Sequence, residues 1–186
     1  MTTHEGSGSL PADQVPKGKQ TCLGLYVSAQ EAYGMWKADP VRVSVIDVRT
    51  PEEYVFVGHP EMARNVSCFF VKHQWDAARN EFVLVKNPDF IPRMKSLFMP
   101  ADLLLVMCRS GVRSALAVNL LARAGFVNVY TIIDGMEGDK VNDPGSPDHG
   151  KRMKNGWKNS GLPWTYDVNP ALMSLTPAPT GDDSPG

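Results

Sequence analysis

The sequence predicts an α/β domain built on a mainly parallel sheet with helices on both faces. Two short apolar runs, Val43-Ser44-Val45-Ile46-Asp47-Val48 and Leu103-Leu104-Leu105-Val106-Met107, are separated by stretches of helical spacing. The second run turns into a helical pattern and then reaches a further β-branched run at 127–133, which is a strand–helix–strand crossover. Strands this continuously apolar are buried on both sides, as parallel strands beneath crossover helices are. A chain of 186 residues has room for one such domain with a sizeable core, and too little for two.

The elements follow in order. Ser28-Ala29-Gln30-Glu31 has the spacing of a capping box, so a helix is expected over 28–37, stopping before Asp39-Pro40. Residues 43–48 form a strand, and Pro51 suits the first turn of a helix through Glu52, Glu53 and Tyr54. A brief strand is expected at 65–67. Residues 70–87 fit a helix or an irregular insert equally well, and 89–98 reads as a helix ending before Pro100. After the strand at 103–107 comes a turn at 108–111 and a helix over 112–124. Val112, Leu116 and Leu120 stand at i, i+4 and i+8 and are expected to form its buried face, with Gly125 as its C-terminal cap. Residues 1–21 are rich in Gly, Ser, Pro and Lys and are expected to be a disordered leader. Residues 169–186 are expected to be a disordered tail, which leaves 22–168 as the folded domain.

Composition removes several classes of function. Hydrophobic residues make up 42% of the chain, charged residues 21%, and the net charge is -1, with acidic and basic residues interleaved. A nucleic-acid binder would show a basic stripe, which is missing here. No run approaches the roughly 18 apolar residues of a membrane span, and the polar N-terminus lacks the apolar stretch of a secretory signal. Cys22, Cys68 and Cys108 are odd in number and irregular in spacing, which argues against a disulfide framework or a structural zinc site. The scattered histidines His4, His59, His73 and His149 offer no ligand cluster. A soluble protein of a reducing, cytoplasmic compartment is expected.

In an open α/β sheet, ligands bind beyond the carboxyl ends of the strands. Two such ends carry reactive or charged residues: Cys108-Arg109-Ser110-Gly111-Val112-Arg113-Ser114, and Asp47-Val48-Arg49. In the first, backbone N–H groups from Arg109 to Ser114 curl toward the Cys108 sulfur as a helix begins, and the positive helix end favours an anion there. Gly111 allows a loop conformation that a Cβ would obstruct. Arg109 and Arg113 add cationic forks suited to an oxyanionic substrate.

The heptad starting at Cys108 resembles the active-site loop of rhodanese-family sulfurtransferases. Asp47-Val48-Arg49-Thr50-Pro51-Glu52-Glu53-Tyr54, followed by Gly58-His59 and Ala63-Arg64-Asn65, is similar to the family's N-terminal signature. Asp134-Gly135-Met136-Glu137-Gly138 and Gly156-Trp157 through Gly161-Leu162-Pro163 resemble its C-terminal signature. The similarity spans residues 25–165. It departs from the pattern at Pro60 and Met62, and in the length of segment 138–155. The resemblance implies a three-layer domain with a central sheet of about five strands. It also implies that Cys108 carries a sulfane sulfur as a persulfide. Substrate contacts fall on Arg109, Ser110, Gly111, Val112, Arg113 and Ser114, with Asp47 and Arg49 in support. The implied partners are a small anionic sulfur donor such as thiosulfate and a thiol, cyanide or protein acceptor. No metal or organic cofactor is implied.

Rival readings remain at this stage. Phosphatases and arsenate reductases of the same fold use Cys-x5-Arg, whereas Arg113 follows Cys108 at Cys-x4-Arg. A non-catalytic interaction module would keep the fold and typically lack the cysteine. A lone cysteine is usually a small buried hydrophobe. Asp47 is expected to orient Arg113 or to close a turn, Arg49 to pair with a carboxylate such as Glu53, and His59 to be structural. Cys68 is weighed as a resolving thiol. Trp75, Trp157 and Trp164 are expected to pack or to line a rim.

Overall fold

The computed structural model describes residues 10–175. Five parallel strands form one sheet in the order β1-β7-β6-β2-β3: β1 (Tyr26–Val27), β2 (Val43–Asp47), β3 (Arg64–Asn65), β6 (Leu103–Met107) and β7 (Val129–Ile132). A separate antiparallel hairpin joins β4 (Phe69–Asp76) to β5 (Glu81–Lys86). The helices are α1 (Ala29–Ala38), α2 (Pro51–Val57), α3 (Phe90–Leu97) and α4 (Val112–Arg123).

The alternation of strand side chains builds the three layers. Ile46, Leu104 and Val106 point to the face covered by Phe90 and Met94 of α3 and by Ala117, Val118 and Leu121 of α4. Val43, Val45, Leu105 and Met107 point to the other face, against Ala29 and Ala32 of α1, Tyr54 of α2, and Trp157. Both faces of the sheet are therefore dry, as the apolar runs required.

Helix ends follow the local sequence. Ser28 caps α1 and Thr50 caps α2, each in a reciprocal capping box, with Glu31 and Glu53 respectively. At the end of α4, Gly125 takes φ 100°. Its N–H reaches the Ala122 carbonyl at 3.0 Å, and the Phe126 N–H reaches Leu121 at 3.1 Å, a Schellman motif.

Three expectations need correction. The buried face of α4 consists of Ser114, Ala115, Ala117, Val118 and Leu121, while Val112 and Leu116 are 46% and 47% exposed. At 3.6 residues per turn, the stripe through Val112, Leu116 and Leu120 centres about half a turn from this buried face, and mostly small residues occupy the close helix–sheet contact instead. Residues 70–87 are neither helix nor irregular insert but a hairpin. Most of β4 is exposed, so no period of two marks it in the sequence, and its pairing shifts register between Val71 and Trp75.

The flanks are the third correction. Residues 10–21 form two 3₁₀ turns, Ala12–Gln14 and Lys17–Lys19, rather than a loose leader. Val15 is buried, and the Lys19 amine bonds Asp139 at 2.8 Å while its stem lies beside Gly111. At the other end, Met173 is buried and bridges to Asn65 beside β3. Two apolar residues, Val15 and Met173, and one long lysine stem are enough to dock these short segments, which is too little to register in a composition average. The outer parts of the expected leader and tail, 1–9 and 176–186, lie outside the described residues. No helix of the described residues is long and apolar enough to cross a membrane.

Candidate active site

Cys108 directly follows β6, the middle strand of the five. Asp47, the last residue of β2, is in register with Met107, and the Val48 N–H bonds the Met107 carbonyl at 2.9 Å. The parallel pairing thus brings the Cys108 loop and the Asp47–Arg49 turn side by side at one end of the sheet.

The loop is tightly determined. Gly111 has φ 101°, and a Cβ there would collide with the Ile133 carbonyl. In this pose the Gly111 N–H donates to Cys108 Sγ at 3.2 Å. Helix α4 begins at the next residue, so its first-turn N–H groups lack helical acceptors and add positive potential near the sulfur. The loop is backed from behind by Met136 N–H on the Cys108 carbonyl (2.8 Å) and Glu137 N–H on the Arg109 carbonyl (2.9 Å).

Cys108 is 1% exposed and lies in a pocket of about 360 Å³. Arg109, Ser110, Val112 and Arg113 line it from the loop and α4, with Glu53 from α2. Its outer wall is the hairpin, through Val71, Glu81, Phe82 and Leu84, and Arg152 borders it from segment 138–155.

The charges pair differently from the sequence expectation. Both terminal nitrogens of Arg113 are held by Glu53, Nη1 to Oε2 and Nη2 to Oε1, each at 2.6 Å. Burial alone would raise the Glu53 carboxyl, but the bonds and charge of Arg113 hold it below its ordinary value. Arg49 takes Asp47 instead, through Nε and Nη2 at distances down to 2.6 Å, and both side chains are wholly buried. Asp47 therefore closes its turn, as one of the two expectations had it, by accepting the Arg49 N–H on Oδ1 at 3.0 Å, and orients Arg49 rather than Arg113; Arg113 is neutralised rather than presented as an open fork. The reason is proximity in a dry interior: a buried guanidinium needs the nearest carboxylate. Arg49 finds one two residues away, while Glu53 faces the first turn of α4.

The other expected residues divide. Arg109 is 49% exposed and bonds Glu137 through Nε at 3.0 Å. Ser114 is fully buried and donates its hydroxyl to the Gly111 carbonyl at 2.8 Å, so its side chain braces the loop instead of facing substrate. His59 is buried and stacks on Tyr54 with ring centroids 3.5 Å apart, in the structural role expected of it. Cys68 is buried, bonds the Val48 carbonyl at 3.5 Å, and has its thiol pushed up by desolvation. Trp157 is fully buried, whereas Trp75 is 55% exposed on the hairpin. Sequence reasoning missed Glu53 as the partner of Arg113, the hairpin wall, and Arg152. The run Phe82-Val83-Leu84-Val85 carried the one signal for the hairpin, a short β-branched and apolar stretch.

Among the described residues, no three His, Cys, Asp or Glu side chains gather as metal ligands. The geometry is a cysteine-bearing loop at the end of a central parallel strand, at a pocket edged by arginines. The family model for the Rhodanese-like domain matches residues 28–141, and the chain belongs to that family. It is similar to thiosulfate sulfurtransferase 16, chloroplastic, of Arabidopsis thaliana, at 39% identity over 90 residues, 48% of this chain and 68% of that one. An uncharacterized protein of Rickettsia rickettsii is 30% identical over 124 residues, covering 66% of this chain and 82% of its own. Among solved structures, that of Rv0390 from M. tuberculosis aligns with a TM-score of 0.57 and 26% identity, over 76% of this chain and 96% of that one.

Proposed function

We propose that the protein is a sulfurtransferase that moves a sulfane sulfur from an anionic donor to a thiophilic acceptor through a persulfide on Cys108. The observation that carries this reading is the placement of Cys108 Sγ, which receives the Gly111 N–H at the foot of a pocket and faces the start of α4. These features set hydrogen-bond donors where the anion of a Cys108 persulfide would sit. The similarity to a protein named thiosulfate sulfurtransferase supports it.

With thiosulfate as donor, the Cys108 thiolate attacks the outer sulfur. A new S–S bond forms, the donor's S–S bond breaks, and its electron pair leaves with sulfite. An acceptor then attacks the outer sulfur of the persulfide; cyanide leaves as thiocyanate and the Cys108 thiolate returns. Arg109, Ser110 and Val112 line the donor's approach, and Gly111 and Ser114 hold the loop in shape. Asp47 and Arg49 lock the neighbouring turn. A thiol or protein acceptor suits the cytoplasm, where cysteines without disulfide partners stay reduced. A phosphatase reading fits less well, because Arg113, the arginine of the Cys108 loop, is committed to Glu53 and is not open to clasp three phosphoryl oxygens.

Mass spectrometry after thiosulfate treatment tests the proposal. A gain of one sulfur on Cys108, removed by a reducing thiol, is expected. Cys108→Ser should abolish thiosulfate-to-cyanide transfer with the fold intact, while Cys22→Ser and Cys68→Ser retain most activity. Full activity in Cys108→Ser would overturn the assignment.

A further inference from the structure

Three arginines edge the Cys108 pocket, and they are not equivalent. Arg113 is bound twice by Glu53, and Arg109 is bound by Glu137. Arg152 has no such partner. Among the described residues no carboxylate lies within ion-pairing distance of it, and the one hydrogen bond of its side chain there runs from Nη1 to the Gly138 carbonyl at 2.8 Å. Its Nε is buried with nothing to accept from it. The guanidinium charge of Arg152 is thus left uncompensated at the edge of the pocket that holds Cys108, where an anion would offset it.

The surroundings give that ligand a sign. Arg152 also borders an adjoining polar cavity of about 600 Å³, which it shares with Lys140, Lys151 and the Arg109–Glu137 pair. Lys151 is paired with Asp148, and Lys140 has no ion-pair partner among the described residues. Glu81 of the hairpin lines both cavities as well. The site is thus polarised, with uncompensated positive charge on segment 138–155 and negative charge on the hairpin. Segment 138–155 is also held in place: Asn159 Nδ2 bonds the carbonyls of Glu137, Arg152 and Asn155 at 2.7 to 3.0 Å.

We infer that Arg152 is a substrate-binding residue that receives the anionic head of the sulfur donor and sets the pocket's preference for anions. This rests on the sulfurtransferase reading for the identity of the donor, though not for the preference itself. An outer sulfur at Cys108 then places a sulfonate or similar group toward the 138–155 wall, away from Glu81.

Two measurements separate the inference from the reading beneath it. In steady-state transfer from thiosulfate, Arg152→Gln should raise KM by about tenfold, the effect of one lost charge-assisted contact, and leave kcat within about twofold. Arg152→Lys should recover much of the loss, because it restores the charge without the fork. Independently, the rates of Cys108 alkylation by iodoacetate and by neutral iodoacetamide are read at the peptide level in full-length protein. The iodoacetate-to-iodoacetamide ratio should fall severalfold in Arg152→Gln and rise in Glu81→Gln. If native protein forms no persulfide but the ratio still responds, the sulfurtransferase reading fails and the role of Arg152 stands. A ratio and KM that ignore Arg152→Gln, or a Cys108 that neither reagent reaches, would overturn the inference.

Discussion

The floor and the outer wall of the Cys108 pocket are built by opposite means. The floor comes from β6, β2 and the start of α4, where Cys108, Asp47, Arg49 and Ser114 are all at most 1% exposed and hydrogen bonded within the core. The wall is the β4–β5 hairpin, whose strands pair with each other and not with the central sheet. Its Trp75 and Phe82 are 55% and 53% exposed and touch edge to face, with ring centroids 5.2 Å apart. Atoms that need fixed positions for bond-making sit where packing tolerates no movement. Under the proposed chemistry, the groups that would meet the variable part of a substrate stand on an element that can change without disturbing the core.

The largest effect should come from the floor. Gly111→Ala places a Cβ against the Ile133 carbonyl at a φ that L residues rarely adopt. The backbone must shift, and Cys108 Sγ loses the Gly111 N–H. Strain of this kind costs about 1–3 kcal/mol, and loss of a preorganised donor slows an enzyme by about a hundredfold or more. Transfer rates and urea unfolding of the variant measure both. Near-native transfer would show that the loop is less fixed than its contacts imply.

The packing of α4 gives the next contrast. Leu121→Ala removes a fully buried side chain and should cost about 2–5 kcal/mol. Leu116→Ala, at a position 47% exposed, should stay within about 0.5 kcal/mol. Equal costs would restore the helix face expected from the sequence.

Glu53 joins floor to rim. Glu53→Gln leaves Arg113 without its charge partner and should cost about 2 kcal/mol near neutral pH. The folded carboxyl is held below its ordinary value of 4.5, so its stabilisation is fully present above that pH and is lost as the pH falls through the lower folded value. The stability gap between native protein and Glu53→Gln should therefore be flat above about pH 5 and shrink only below the ordinary carboxylate range. A gap that does not change with pH would assign the loss to shape instead of charge.

The sequence carried the floor well and the wall poorly, for a physical reason. Strands 43–47 and 103–107 are buried on both faces, so burial wrote itself into unbroken apolar runs, and the capping boxes at Ser28 and Thr50 obey local rules. The shape of the Cys108 loop was legible because its determinants are local, a cysteine, a glycine and a helix start within a few residues. Charge pairing was not, since Glu53 and Arg113 are sixty residues apart and only the fold decides which carboxylate meets which guanidinium. The same holds for Arg152, whose place at the pocket depends on how segment 138–155 folds back. Residues 69–86 were opaque because a hairpin off the core has no buried face to impose a period.

The smallest stability effect should come from the wall, and it sharpens the contrast with Gly111. Phe82→Ala removes one partner of the Trp75 pair, directly opposite it across the hairpin, and an aromatic pair contributes about 0.5–1.5 kcal/mol beyond burial. Because the hairpin pairs only with itself, most of that loss should appear as local opening rather than as a lower global midpoint. Hydrogen exchange should speed up at residues 69–86 while the amides of β6 and β2 keep native protection. Phe82 also lines the Cys108 pocket, so KM for a bulky sulfur donor should change more than KM for thiosulfate, with little change in kcat for either. A fall in the global midpoint as large as that of Leu121→Ala would mean that the hairpin belongs to the cooperative core, and the division between floor and wall would not hold.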